Sequence, residues 1–288
     1  MTVRIGLILL LAMVSVSSTS LVVRSVATVP ALVLAFWRMF TASGMLWGYS
    51  AIRPAGKLSP INKKRIIFAG IFLGCHFACF FLGIRNTSIA NATLLGCMAP
   101  IFTVFIAMFQ KRAINKMTYV GLIIAMIGGW IVQSGDFSLN NTNLFGDSIA
   151  LLSALFLAIT FVLAEEIRQE TNSIVYGRSL FFVASITVLL IATMAGDSVL
   201  KFNPSDIPWF LFLGLVPSIF GHNLLNYAVK YITPTAVSSV PLGEPVIASL
   251  LGLLLFGEAI PFGALFGGPV VLVGVYIIIK HQAVSADD

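Results

Sequence analysis

A few ionisable side chains interrupt long apolar stretches of this sequence. Glu244 lies between Pro241 and Pro245, and His76 and Arg38 each lie well inside an apolar run. An ionisable group in an apolar environment is costly unless it is paired or hydrated. These residues are therefore candidates for binding a charged solute or for carrying a proton.

Glu244 combines a carboxylate with a helix-breaking environment. A helix rises about 1.5 Å per residue, so both Glu244 and His76, each ten residues into an apolar run, lie about 15 Å deep. Each flanking proline removes a backbone donor and frees a carbonyl group, so a broken helix at this depth can offer oxygen ligands to a cavity. We predict substrate contact and proton coupling for Glu244. The alternative is a structural ion pair with a buried donor such as Arg38 or a histidine.

A second polar cluster lies on one predicted helix. His222 and Asn226 are four residues apart and share a helix face, and Asn223 and Tyr227 share the adjacent face. A face this polar must look into a helix bundle, where it either binds solute or forms interhelical hydrogen bonds. Residues that favour a bent helix precede it: Gly214, Pro217 and Gly221.

The remaining candidates have equally strong structural interpretations. Arg38 can attract a carboxylate or phosphate, or extend outward and anchor its helix. His76 can be a satisfied core histidine. Asn91 can be a ligand or a capping residue near a helix end. Trp37 can stack on a substrate ring or anchor the helix at the membrane interface.

Composition determines which elements position these residues. The chain has 58% hydrophobic and 10% charged residues, whereas soluble domains carry about 25% charged residues. The apolar runs are long enough to span a bilayer only as helices. We therefore predict an all-α integral membrane protein with ten transmembrane helices at 5–23, 30–51, 66–84, 90–109, 118–134, 145–164, 173–195, 207–229, 234–256 and 261–280. The first run also resembles a signal peptide, but the repeat described below requires it as a permanent helix.

Basic residues predict the orientation. With a cytoplasmic N-terminus, most Lys and Arg residues fall on the cytoplasmic side, including the group at 53–65 and the pair Lys111 and Arg112. The other side then holds Arg24, Arg85 and Lys201. This asymmetry places both termini in the cytoplasm. The net charge of +6 follows from topology and does not indicate nucleic-acid binding.

The two halves of the sequence resemble each other. The stretch from Asn91 to Pro100 aligns with the stretch from Ala236 to Pro245, and a glycine-rich last run follows in each half. Because each half holds an odd number of spans, the second copy must be inverted. We predict a first five-helix repeat at 1–137, a second, inverted repeat at 144–281, and a short cytoplasmic tail at 282–288.

These motifs together resemble the EamA branch of the drug/metabolite transporter superfamily, over essentially the whole chain. The resemblance is carried by the sequence Phe-Trp-Arg-Met-Phe at 36–40, the stretches 91–100 and 221–230, Pro-Leu-Gly-Glu-Pro at 241–245 and Leu-Phe-Gly-Glu at 255–258. It implies two inverted five-helix repeats and a central cavity lined largely by helices other than the fifth and tenth. The small four-helix relatives couple protons through a glutamate in their first helix, but the first span here has no acidic residue. That mechanism does not carry over.

The predicted function is export of small organic metabolites, such as amino acids, by alternating access across a bacterial cytoplasmic membrane. The alternatives are a carrier for sugars or nucleotide-type metabolites, a channel, or an intramembrane enzyme. No cofactor or metal site is expected, because the sequence has no metal-ligand motif. The expected partners are a small solute and the lipid bilayer, in a monomer or homodimer, with transport either coupled to protons or not.

Overall fold

The computed structural model describes residues 3–26, 28–133, 144–257 and 260–281. Glu258 and the predicted tail 282–288 lie outside these residues. All regular elements in the described part are helices: α1 Val3–Ser25, α2 Ala31–Ile52, α3 Pro60–Asn86, α4 Ile89–Gly96, α5 Ala99–Phe109, α6 Lys116–Gln133, α7 Leu144–Glu170, α8 Ser173–Met194, a 3₁₀ turn Pro204–Asp206, α9 Ile207–Leu213, a π-helical segment Gly214–Asn223, α10 Leu224–Ala228, α11 Pro234–Ser239, a 3₁₀ segment Val240–Gly243, α12 Glu244–Phe256 and α13 Phe262–His281.

The helices have the length and composition of membrane spans. In the described part, nine segments are long and apolar enough to cross a bilayer, and the apolar part of α1, Val3–Thr19, supplies a shorter tenth. Bulky apolar side chains remain on the outside, among them Leu7, Trp130 and Leu254, which are 62%, 58% and 77% exposed. A surface of this kind requires lipid as its solvent. The predicted all-α membrane fold is confirmed.

The spans pack in pairs that relate the two halves of the chain. The fifth span, α6, packs along the tenth, α13, and the second span, α2, packs along the seventh, α8. The third span, α3, packs on the sixth, α7, and the first span, α1, packs on the π-helical segment of the eighth. The same pairs result when the first span is exchanged with the sixth, the second with the seventh, and so on to the fifth with the tenth. This is the packing expected of two related halves.

Two spans are broken, and only the break at Glu244 was predicted, from its flanking prolines. The predicted span 90–109 is α4 and α5, with a break after Gly96, and the predicted span 234–256 is α11, the 3₁₀ segment and α12. Helices α5 and α12 begin at Ala99 and Glu244, each directly before a proline. Proline is tolerated in the first turn of a helix, where its missing N–H group has no intrahelical partner. The breaks therefore occur at matching positions of the two halves.

The eighth span contains a different irregularity. Residues Gly214–Asn223 are π-helical, and Pro217 lies inside this segment. The Ser218 hydroxyl donates to the Leu213 carbonyl at 2.8 Å, which supplies a side-chain donor where proline removes a backbone donor. Bending here was predicted from Gly214, Pro217 and Gly221, but the change in helical register was not.

Glycine allows the close approach of α6 and α13. A Cβ atom on Gly128 would lie 2.5 Å from the backbone nitrogen of Val271. We expect Gly128→Ala to lower the free energy of unfolding by about 2 kcal/mol, because the two helices must separate. Thermal unfolding in detergent measures this. The control is Gly48→Ala, since a Cβ at Gly48 meets no atom within 4 Å, and alanine there should raise stability by up to about 1 kcal/mol. Equal shifts for the two variants would contradict the close-packing interpretation.

Candidate functional site

A small cavity lies at the centre of the bundle, between the two broken spans. Its volume is about 30 Å³, enough for one or two water molecules, since each needs about 10–15 Å³. Helices from both halves contribute to it, and none of its lining residues comes from α6 or α13. The lining residues are Val16, Thr19, Arg38, His76, Phe77, Phe80, Gly96, Cys97, Leu157, His222, Pro241 and Glu244.

Arg38 is a fully enclosed cation held by neutral groups. Its side chain is 1% exposed. Nε donates to the Ser218 hydroxyl at 3.0 Å, Nη1 to the Thr19 hydroxyl at 3.2 Å, and Nη2 to the Pro217 carbonyl at 3.3 Å. The guanidinium also lies 4.3 Å from the centre of the Phe77 ring, a favourable cation–π distance. The first, second, third and eighth spans therefore meet at one guanidinium group, and it does not extend to the membrane interface.

Glu244 faces the same cavity from the ninth span. It is 7% exposed and begins α12, where the partial positive charge of the helix N-terminus favours a carboxylate. Among the described residues, the ion pairs within 4.0 Å are Arg65–Glu166 and Arg112–Glu165, so Glu244 is not in a direct ion pair with Arg38. The structural alternative of a direct Glu244 ion pair is therefore not what the structure shows.

Two histidines complete the polar lining. The Nδ1–H group of His76 donates to the Ser153 carbonyl at 2.9 Å, so Nε2 of the neutral ring is left as an acceptor. The His222 and His76 ring centres are 6.1 Å apart, and His222 packs edge-on against Phe77 at 5.0 Å. The cavity thus combines one cation, one carboxylate and two imidazoles within apolar walls.

Trp37 and Asn91, two of the predicted site residues, lie elsewhere. The Trp37 indole Nε1 donates to the Val199 carbonyl at 2.8 Å, and its ring stacks on Phe210 at 5.6 Å. Asn91 donates through Nδ2 to the two carboxylate oxygens of Asp147 at 3.3 and 3.4 Å. Ser88, and not Asn91, caps α4. Both residues fasten helices together outside the cavity.

The predicted faces of the eighth span are also separated. His222 lines the cavity but Asn226 does not, because the π-helical register ends between them. The Asn226 backbone carbonyl accepts a hydrogen bond from Arg168 at 3.0 Å. The Asn223 side chain lies against Gly177 of α8. Tyr227 lies in a second, more polar pocket.

The sequence interpretation missed some of the cavity lining. Cys97 was not among the predicted site residues, yet it lines the cavity and its thiol donates to the Pro241 carbonyl at 3.3 Å. The alignment of the two halves could have identified this part of the lining, because it pairs Gly96, next to Cys97, with Pro241, and both line the cavity. Within the described ranges, no three His, Cys, Asp or Glu side chains come together as metal ligands would.

Comparison with known proteins extends these observations. The model of the EamA-like transporter family matches residues 4–133 and again residues 144–280. An uncharacterized transporter of Archaeoglobus fulgidus is 26% identical over 274 residues, covering 93% of this chain and 94% of that protein. The pseudopaline exporter CntI of Pseudomonas aeruginosa is 27% identical over 258 residues, covering 88% of each chain. One crystal structure superposes with a TM-score of 0.78 over 96% of this chain and 97% of its own, at 15% identity, which shows likeness of fold alone.

Proposed function

The chain belongs to the EamA-like transporter family, and from that premise we propose that it exports a small organic metabolite by alternating access through the central cavity. The family and the named relatives are transporters, so the chain is a multi-pass membrane protein of a transporter family and not an enzyme. One relative is named as an exporter of pseudopaline, which supports metabolite export in general.

The observation that carries the proposal is the pair of opposite charges in one enclosed cavity. Arg38 and Glu244 both line it, and neither is in a direct ion pair with another described residue. A guanidinium can hold a carboxylate in two hydrogen bonds, and a carboxylate can hold an ammonium group. Amino acids and similar solutes carry both groups. Glu244 is also the candidate for exchanging a proton during the cycle.

The size of the cavity supports alternating access over a pore. Ligand pockets have volumes of about 300–1,000 Å³, whereas this cavity has about 30 Å³. A metabolite therefore requires the helices to separate before it can bind. The broken spans α4–α5 and α11–α12 are the proposed hinges, and the halves 1–137 and 144–281 are the proposed inverted repeats that move against each other.

Solute flux into proteoliposomes tests this function. The purified protein should catalyse counterflow, in which unlabelled internal solute accelerates uptake of the labelled solute, for at least one member of an amino-acid panel. A sugar and a nucleotide in the same panel test the alternative substrate classes. Flux without counterflow indicates a pore, and the absence of flux for every solute would refute the proposal.

The proposed orientation, with both termini in the cytoplasm of a bacterial cell, makes a separate prediction. In a parent lacking Cys75, Cys79 and Cys97, a cysteine at Ser198 should react with an impermeant thiol reagent added to intact cells, because Ser198 is exposed in the loop after α8. A cysteine at Lys57, which is exposed in the loop between α2 and α3, should react only after the membrane is permeabilised. The reverse pattern would invert the topology.

A further inference from the structure

A second cavity lies at the end of the bundle where α7 meets α8. Its volume is about 260 Å³, close to the lower limit for small-molecule pockets. It lies between the α7–α8 turn and the segment that follows α10, outside the central cavity. We name it the α7–α8 pocket, and it includes Arg168, Glu170, Ser173, Tyr227, Lys230 and Tyr231.

Arg168 is a buried cation without an acidic partner. It is 3% exposed. Nε donates to the Asn226 carbonyl at 3.0 Å and Nη1 donates to the Thr171 carbonyl, so Nη2 is left without an acceptor among the described residues. No carboxylate of the described residues lies within ion-pair distance of it, since the ion pairs present use Glu165 and Glu166. A buried guanidinium is stabilised when an anion completes its hydrogen bonds.

Two further cations approach the same place. The guanidinium groups of Arg4 and Arg168 each lie 5.9 Å from the centre of the Tyr227 ring. Lys230 lines the pocket and donates to the Gln169 carbonyl at 3.3 Å. Glu170 is the single acidic residue among the lining residues. Arg168 and Lys230 therefore outnumber the one carboxylate of the lining, and Arg4 adds a third positive charge near the Tyr227 ring.

Neutral donors face the same space. The first residue of α8, Ser173, lines the pocket. The Asn172 side chain accepts from the Ile174 N–H group, so what the helix N-terminus offers an anion is chiefly its partial positive charge. The hydroxyl of Tyr231 donates to that of Tyr227 at 3.3 Å. An anion with several oxygen atoms can accept from the guanidinium, the ammonium group and the hydroxyls of Ser173 and Tyr227 at once.

We propose that the α7–α8 pocket binds a phosphate group, supplied either by the headgroup of an anionic phospholipid or by a soluble phosphate. A tetrahedral phosphate matches donors that come from several directions better than a planar carboxylate does. The pocket lies at the end of the bundle that the basic residues place in the cytoplasm, where anionic headgroups attract such clusters. This site does not depend on the transported solute.

Thermal unfolding in a neutral detergent tests the site and separates the two sources. The probes are sodium phosphate against sodium chloride of equal ionic strength, and short-chain phosphatidylglycerol against short-chain phosphatidylcholine. Phosphatidylglycerol should raise the apparent Tm of the parent, because a ligand that binds the folded state stabilises it. A matching effect of inorganic phosphate indicates that a soluble anion suffices, whereas an effect of phosphatidylglycerol alone assigns the site to lipid.

Variants decide whether the effect belongs to this pocket. Lys230→Gln should weaken the apparent affinity for phosphatidylglycerol about tenfold, which corresponds to one charge-assisted hydrogen bond. It is preferred to an Arg168 variant, because Arg168 also connects two backbone segments. Lys201→Gln, an exposed lysine in the loop before α9, should bind like the parent. An equal response in Lys230→Gln and the parent, an equal response to phosphatidylcholine, or no response to any probe would overturn the proposal.

Discussion

Glu244→Gln should reduce counterflow in proteoliposomes at least about tenfold while the protein remains folded. The amide keeps the volume of the side chain but removes the charge that would bind an ammonium group or carry a proton. Because the Glu244 carboxylate is in no ion pair among the described residues, its loss breaks no direct pairing. We expect the free energy of unfolding to change by less than about 1 kcal/mol.

A control variant and the response to a pH gradient show what a loss of flux in Glu244→Gln means. Glu170→Gln, an exposed glutamate outside the central cavity, should transport like the parent. If Glu244 carries a proton, the residual flux of Glu244→Gln should lose its response to a pH gradient; if Glu244 only contacts the solute, affinity should fall and that response should persist. Lowered thermal stability with unchanged activity per folded molecule would show instead that Glu244 is a structural charge.

Arg38→Gln should be strongly destabilising and should abolish transport. Three acceptors lose their donor, Thr19, Ser218 and the Pro217 carbonyl, and Phe77 loses the cation above its ring. We expect the free energy of unfolding to fall by about 3 kcal/mol, as measured by thermal unfolding in detergent. Arg38→Lys keeps the charge but not the planar fork of donors, so it should fall between the parent and Arg38→Gln in both stability and flux.

Arg178 provides a matched control. Its guanidinium lies 4.2 Å from the centre of the Trp47 ring and donates to the Gly56 carbonyl at 2.9 Å, so it also combines an aromatic ring with a backbone acceptor. It lies outside the cavity and is partly exposed. Arg178→Gln should cost less than about 1 kcal/mol and leave transport unchanged. Full stability and flux in Arg38→Lys would contradict the view that the geometry of the guanidinium matters.

The helices could be predicted from the sequence because their apolar composition and length leave few alternatives in lipid. The break at Glu244 could be predicted from its flanking prolines, but the break in the first half could not. Pro100 is compatible with either a continuous kinked helix or two helices, and the structure has two, with α5 packed against α11. Likewise Pro217 indicated a bend, but it did not indicate that the Ser218 hydroxyl donates to the Leu213 carbonyl or that Arg38 of another helix donates to the Pro217 carbonyl.

The residues of the candidate site could also be predicted only in part. Burial cost in lipid identified Arg38, His76, His222 and Glu244 as candidates, and the structure brings these four to one cavity. The same criterion also selected Asn91, which contacts Asp147 instead. Cost alone shows that a polar side chain needs a partner, but it does not show whether that partner is a solute or another helix. The i to i+4 spacing placed His222 and Asn226 on one face, but only His222 lines the cavity, because that spacing assumes an uninterrupted α-helix.

The opposite charges of the central cavity bear on the energetics of the proposed cycle. With Arg38 and Glu244 both charged, the empty site is electroneutral. Moving one elementary charge through a membrane potential of 100 mV changes its energy by about 2.3 kcal/mol, but a site without net charge feels no such force as it reorients. A zwitterionic solute preserves that balance, whereas a proton or an anion disturbs it. The voltage dependence of the flux therefore reports which ions travel with the solute.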